Sequence, residues 1–286
     1  MIVNIVGAGR LAEGIAVRVL AGGHRVRITD TDPEKASALA VGLRERSSGS
    51  GARGSSRSVA EIAAFDVAEG IAGADMVVLA LPYPQGRLVA RDQGAALYGV
   101  TVVDTCNPVD FSTFDSLLTS PNLSAAEEIA DASKGARVVK AFNTTFAAVL
   151  IAGWVGGLPV DVFLAGDDPE AKRQVATVVR DGGMRPVDTG PLRRARELEA
   201  FQLLHMTLQG PLGLDWASAI KLLPLPATGR RAARPPGRPA AGPPARPAAR
   251  PPGRPPRPSG HTSGIAEHHR LCPVIPHQRL RRLSAG

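Results

Sequence analysis

Unbroken apolar runs alternate with stretches of helical periodicity through the first 223 residues. Ile2–Val6 predicts a strand that runs into Gly7-Ala-Gly9-Arg-Leu-Ala12. Helical spacing then continues to about Leu20 and stops at Gly22-Gly23. Arg25–Thr29 predicts a second strand ending at Asp30. Asp32-Pro33 joins an N-cap to a proline in the first helical turn and opens a helix to about Arg44. A Gly/Ser/Arg loop is expected over 47–58, and Ser58-Val-Ala-Glu61 has the spacing of a capping box. Further strands are expected at 75–81, closed by Pro82-Tyr83-Pro84, and at 100–104, closed by Asn107-Pro108. Others fall at 137–141, 161–165 and 184–188. Ser124-Ala-Ala-Glu127 caps one helix, Asp168-Pro169 opens another to about Asp181, and two more are expected at 192–208 and 214–222.

Strands apolar on both faces and separated by helices imply an α/β fold with a doubly wound, mainly parallel sheet. Gly7-x-Gly9-x-x-Ala12 stands between a strand and a helix, the context in which a glycine pattern means dinucleotide binding. Gly7 permits the tight turn, Gly9 lets the backbone approach a pyrophosphate, and Ala12 lets the helix pack close to the strand. Ala8, Arg10 and Leu11 complete that loop, whose helix N-terminus faces the anion. The fold expected is therefore of Rossmann type. Asp30 stands where a carboxylate accepts hydrogen bonds from ribose hydroxyls and repels a 2′-phosphate, which favours NAD. Arg10, with Arg53 and Arg57 in the Ser/Gly segment, pulls toward NADP.

The loops after residues 81, 104 and 140 should open on the same crevice, because each leaves the carboxyl end of a parallel strand. Leu81 and Pro82 either wall the cofactor or simply turn the chain. Asn107 offers an amide in that crevice, and Cys106 beside it reads as a small buried residue rather than a nucleophile. Asn143 either holds the nicotinamide carboxamide or, with Thr144 and Thr145, caps the next helix. Arg193, Arg194 and Arg196 open a helix, where the macrodipole disfavours cations. Either they are solvated or an anion sits among them. On the same helix Leu198, Phe201, His205 and Leu208 share a face, so His205 is a core histidine or a catalyst. No Ser/His/Asp set, paired acids or metal-ligand spacing is read, and hydride passing directly between two bound cofactors needs none.

Charge alters this picture only at the end of the chain. The protein has 286 residues and a net charge of +8, but 12 arginines and a single acid, Glu267, lie from Pro224 onward. The first 223 positions hold 22 basic and 25 acidic side chains, so the basic balance belongs to the tail. Residues 229–258 are 11 Pro, 8 Arg, 7 Ala and 4 Gly, a composition expected to be disordered. The organisation expected is a dinucleotide-binding domain at 1–155, a small α/β lobe at 156–223 and a tail at 224–286. A GC-rich reading frame running past its stop accounts for that tail better than a nucleic-acid-binding arm does. Two cysteines exclude a disulfide framework and suit the cytoplasm. The apolar runs are too short to span a bilayer.

Six stretches together carry a family resemblance. They are Gly7-Ala-Gly9-Arg-Leu-Ala12, Ala74-Asp-Met-Val-Val-Leu-Ala-Leu-Pro82, Val102-Val-Asp104-Thr-Cys-Asn107-Pro108 and Val138-Val-Lys140-Ala-Phe142-Asn143-Thr144, with Asp161-Val-Phe-Leu-Ala-Gly166-Asp-Asp and Gly190-Pro-Leu-Arg-Arg-Ala-Arg196-x-Leu-Glu199. Residues 1–223 resemble the NADPH-dependent coenzyme F-420 reductases. The resemblance implies NADP and the deazaflavin coenzyme F-420 as cofactors, hydride transfer between them in the cleft, and commonly a homodimer. Where the family ends its second strand in small polar residues plus arginine, this chain has Thr29-Asp30-Thr31. The residues thus leave NAD or NADP open. They also leave open a reductase of small imines or carbonyls, with His205 or Lys140 as proton donor, and a non-catalytic dinucleotide sensor.

Overall fold

The structure, a computed structural model, describes residues 1–49 and 63–224. Met1–Leu225 form one compact unit. The expected capping box at 58–61, Arg53, Arg57 and the tail beyond Pro224 lie outside the described residues. The strands are β1 (Ile2–Val6), β2 (Arg25–Thr29), β3 (Ala63–Phe65), β4 (Met76–Leu79), β5 (Thr101–Asp104), β6 (Arg137–Lys140), a hairpin of β7 (Trp154–Val155) and β8 (Leu158–Pro159), β9 (Asp161–Gly166) and β10 (Arg185–Gly190). The helices are α1 (Arg10–Ala21), α2 (Pro33–Gly49), α3 (Val67–Ile71), α4 (Tyr83–Asp92), α5 (Gly94–Leu97), α6 (Ala125–Ser133), α7 (Ala147–Ala152), α8 (Pro169–Asp181), α9 (Ala195–Thr207) and α10 (Gln209–Leu212).

Eight strands form one sheet in the order β3-β2-β1-β4-β5-β6-β9-β10. From β3 to β6 every pairing is parallel, and the reversal of strand order falls between β1 and β4. That is the doubly wound Rossmann arrangement, in which ligands bind beyond the carboxyl ends at the switch point. The β9 strand joins antiparallel to β6, and β10 runs parallel to β9. Residues 161–190 thus extend the sheet that begins at Ile2. Both faces are covered. Val3, Ile5, Val78 and Val139 pack against α1, α7 and α8, while Val6, Val77, Leu79 and Val102 face α4 and α6.

Local chemistry explains the helix starts. Ser124 and Glu127 form the reciprocal capping box of α6, and Asp168 accepts from the Ala171 N–H ahead of Pro169. Pro82 is the N-cap of α4 rather than a turn residue only, with Pro84 inside the first turn.

One expected helix is absent. Residues 214–222 form a turn followed by irregular chain, because Asp215 and Trp216 take φ of 48° and 57°, which a right-handed helix cannot contain. Ala219 bridges to Thr145, and the Leu222 N–H donates to Asp161, so the backbone groups of this segment are spent on tertiary partners. The buried face of α9 also differs from the expected one. It is Leu198, Glu199, Gln202 and His205, and Phe201 and Leu208 are exposed.

α1 and α7 approach closely over Gly14, where a Cβ would lie 2.9 Å from the Leu150 Cβ and 3.1 Å from the Ala147 carbonyl oxygen. Gly14→Val should therefore destabilise the fold by about 2 kcal/mol, the usual cost of overpacking. Urea unfolding checks this.

Candidate functional site

The glycine loop sits where β1 ends beside β4. Gly7 has φ of 112° and donates its N–H to the Thr29 carbonyl at 2.7 Å. A Cβ on Gly7 would meet the Ala80 carbonyl oxygen at 2.4 Å, so both the turn and the neighbouring strand forbid a side chain. Gly9 is different. Its φ is −83°, and a Cβ there would meet no atom within 4 Å. Nothing inside the protein requires glycine at this position. The open space before it has room for a phosphate at the start of α1. Gly9 is also the N-cap of α1, and no side chain bonds the first N–H groups of that helix. Free amides, a positive helix end and a clear approach fit a pyrophosphate. Ala12 is wholly buried against the sheet, and Arg10 is exposed beside the loop.

Asp30 closes the far side. Its carboxylate accepts from the Ala8 N–H at 2.9 Å, the Asp32 N–H at 2.9 Å and the Thr31 hydroxyl at 3.4 Å. The acid is thereby fixed against the glycine loop itself. Leu81, Pro82, Asn107 and Asn143 follow β4, β5 and β6 at the same carboxyl edge. The Cys106 thiol donates to the Leu81 carbonyl at 3.2 Å, and burial pushes its pKa up, so it remains a thiol. Asn107 Nδ2 donates to the Asn143 carbonyl at 2.9 Å, and Asn143 Nδ2 donates to Asn107 Oδ1 at 3.1 Å. Two buried atoms here, Asn143 Oδ1 and Thr144 Oγ1, have no hydrogen-bond partner.

The remaining candidates stand elsewhere. Arg193 and Arg194 lie in the turn before α9; Arg194 pairs with Glu197, and Arg196 pairs with Glu127 of α6. Among the described residues Arg193 makes no ion pair, and no hydrogen bond joins this turn to the glycine loop. His205 sits between Gln202 at 3.2 Å and the Ser218 hydroxyl at 2.8 Å, its ring against Phe146. Burial lowers its pKa, which keeps the imidazole neutral. Lys140 is fully buried, with its three donors on Asp104, the Cys106 carbonyl and Glu199. That cluster was invisible as a site in the sequence, because its members lie 36 and 59 residues apart.

The sheet order, the open glycine cradle and the fixed acid are those of a Rossmann-type fold of the dinucleotide-binding class. Residues 2–108 match the profile of the family described as NADP oxidoreductase, coenzyme F420-dependent. It is 29% identical over 206 residues to the F420-dependent NADP reductase of Methanocaldococcus jannaschii, an alignment covering 71% of this chain and 89% of the relative. It is also 29% identical over 203 residues to the metalloreductase STEAP3 of Rattus norvegicus, covering 70% of this chain but only 36% of that protein. Among solved structures, a protein described as an F420-dependent NADP-reductase from Arthrobacter sp. FB24 superposes with a TM-score of 0.61. Its identity is 27%, with 74% of this chain and 94% of that one covered. Among the described residues no helix is long and apolar enough to cross a membrane.

Gly9→Val should fold with an unchanged melting temperature, because its side chain enters empty space. It should weaken dinucleotide binding by about 2 kcal/mol or more through displaced charge-assisted hydrogen bonds. Titration of nicotinamide fluorescence against protein reads the loss, and Gly7→Val should instead unfold the loop.

Proposed function

We propose that this protein passes hydride between a nicotinamide dinucleotide and the deazaflavin coenzyme F-420. The observation that carries the reading is the empty space before Gly9 at the uncapped start of α1, inside the stretch that matches the family. Gly7–Ala12 would hold the pyrophosphate, Asp30 the adenosine ribose, and Leu81, Pro82, Asn107 and Asn143 the crevice toward the nicotinamide. The two cofactors supply the redox chemistry when bound. The protein supplies placement and exclusion of water. Arg193 and Arg194 enter as the cations for the acidic part of the second cofactor, Arg194 by leaving Glu197.

Reduction of an imine or carbonyl is less well supported. It needs a proton donor, and Lys140 and His205 both have their donors and ring nitrogens occupied. The reading includes the cytoplasm, in line with the low cysteine count. It also includes a homodimer, for which the exposed Phe201, Leu204, Leu208 and Leu212 speak. Nucleic acid is not among the proposed partners, since the basic excess is confined to the tail.

The test is loss of coenzyme F-420 absorbance on mixing the purified chain with NADPH or NADH. Catalysed loss with either is expected, and none with both sinks the proposal. NADP is the dinucleotide of the family, and Asp30 is the residue of this chain that works against a 2′-phosphate. A unit-charge pair about 5 Å apart at an effective dielectric near 20 costs roughly 3 kcal/mol. Asp30→Ser with Thr31→Arg should therefore raise the NADPH-to-NADH ratio of kcat/KM by about tenfold or more. An unmoved ratio would take Asp30 out of the ribose site.

A further inference from the structure

Lys140, Asp104 and Glu199 are each 0% exposed, which puts two carboxylates and one ammonium inside a dry core. The ammonium spends its three protons on Asp104 Oδ2 at 2.8 Å, Glu199 Oε1 at 2.6 Å and the Cys106 carbonyl at 2.6 Å. The second oxygen of Asp104 accepts from the Cys106 N–H at 2.8 Å. Glu199 also accepts from the Ala125 N–H at 3.0 Å and the Ala126 N–H at 3.4 Å, the first turn of α6. Buried charges of this kind are seldom better for stability than apolar side chains of similar volume. Their distinguishing property is direction. Each bond fixes one backbone or side-chain position, which greasy contacts do not.

The positions fixed are those of the crevice. From Lys140 the bonds lead to the Cys106 carbonyl, then along the chain to Asn107. Asn107 is bonded reciprocally to Asn143, whose Nδ2 also donates to the Leu198 carbonyl at 3.2 Å. Leu198 adjoins Glu199, which returns to Lys140. The circuit is closed. It joins the loop after β5, the loop after β6 and helix α9, and it leaves Asn143 Oδ1 and Thr144 Oγ1 buried without partners at the same edge.

We infer that Lys140 and Glu199 are positioning residues for hydride transfer: neither touches a ligand, and together they hold the Asn107–Asn143 pair where the nicotinamide must be seated. The inference rests on the hydride-transfer reading above. It assigns the circuit to the transfer step and the glycine loop to affinity, since no bond of the circuit reaches residues 7–12.

The discriminating variant is the neutral triple substitution Lys140→Met, Asp104→Asn, Glu199→Leu, which removes all the charges together and so leaves none unpaired. Glu199→Gln is the milder companion. In the full-length protein, melting temperature and dinucleotide affinity should stay within twofold or a few degrees of wild type. Hydride transfer to coenzyme F-420 at saturating dinucleotide should fall roughly a hundredfold in the triple variant, the scale of an ångström-level misplacement. Amide exchange should accelerate in the 105–109 and 143–146 segments and stay unchanged in the glycine loop. A well-folded triple variant with wild-type kcat, or with unaltered exchange in those segments, makes the cluster merely structural and overturns the inference. Loss of dinucleotide affinity equal to the loss of kcat overturns it as well. If both variants unfold, accelerated exchange and lowered kcat are sought in Asn107→Ala, and their absence there is equally fatal. A wild-type chain inert with both dinucleotides defeats the hydride-transfer reading itself, and this inference with it.

Discussion

An ammonium held in a dry core between two carboxylates constrains everything built at the carboxyl edge of this sheet. Two negative groups against one positive leave an excess that burial penalises, and burial is the main reason the Glu199 carboxyl sits above its usual range. Lys140 works in the opposite direction, and so does the start of α6, whose first N–H groups face Glu199 and carry roughly half a positive charge. The balance exists only when β5, β6, α6 and α9 are all in place. Removing the Lys140 ammonium alone would leave two buried carboxylates without their counterpart, at a cost of several kcal/mol. The C-terminal helix is therefore bound to the sheet by an electrostatic condition as well as by the apolar contacts of Leu192, Ala195 and Leu198.

The two glycines of the loop separate internal from external constraint. Gly7 answers to its own fold, through a positive φ and the Ala80 carbonyl oxygen. Gly9 answers to nothing within the protein, with an ordinary φ and open space where a side chain would be. A sequence pattern treats them alike. Only the geometry distinguishes the residue that makes the loop from the residue that leaves open space before it.

Much of the central sheet was legible because its strands are apolar on both faces and its helices announce themselves by local chemistry. Ile2–Val6, Arg25–Thr29 and the helix from Pro169 to Asp181 follow the sequence reading residue for residue. The capping box at Ser124 needed only a spacing of three. Errors came where distant partners decide. Residues 214–222 carry helical periodicity, yet Asp161 and Thr145 claim their backbone. Phe201 and Leu208 share the apolar face of α9 with Leu198 and His205 in the sequence reading, yet both are exposed, and Glu199 is buried instead because Lys140 and the start of α6 supply its hydrogen bonds. Pro82 and Pro84 suggested a turn and open α4 instead, since proline suits a first helical turn as well as it suits a bend. The place of the glycine loop between β1 and α1, and of Asp30 at the end of β2, was readable from spacing. The bond from Ala8 to Asp30 and the circuit through Lys140 were not, because nothing local to residues 104, 140 and 199 marks them as neighbours.

The disposition of reactive groups in the body of the fold follows one pattern. Cys106 is a thiol held by a carbonyl, His205 is a neutral ring held by an amide and a hydroxyl, and Lys140 is an ammonium with all three protons engaged. Each side chain that elsewhere serves as nucleophile, base or acid is here committed to geometry. Direct hydride transfer asks chiefly for that: the donor and acceptor carbons close together, aligned and shielded, with the proton that balances the reduced deazaflavin free to come from water. A site that had to protonate a substrate would need at least one of these groups unengaged. Their engagement is thus a positive feature of the chemistry, for the same bonds that silence them hold the loops in register.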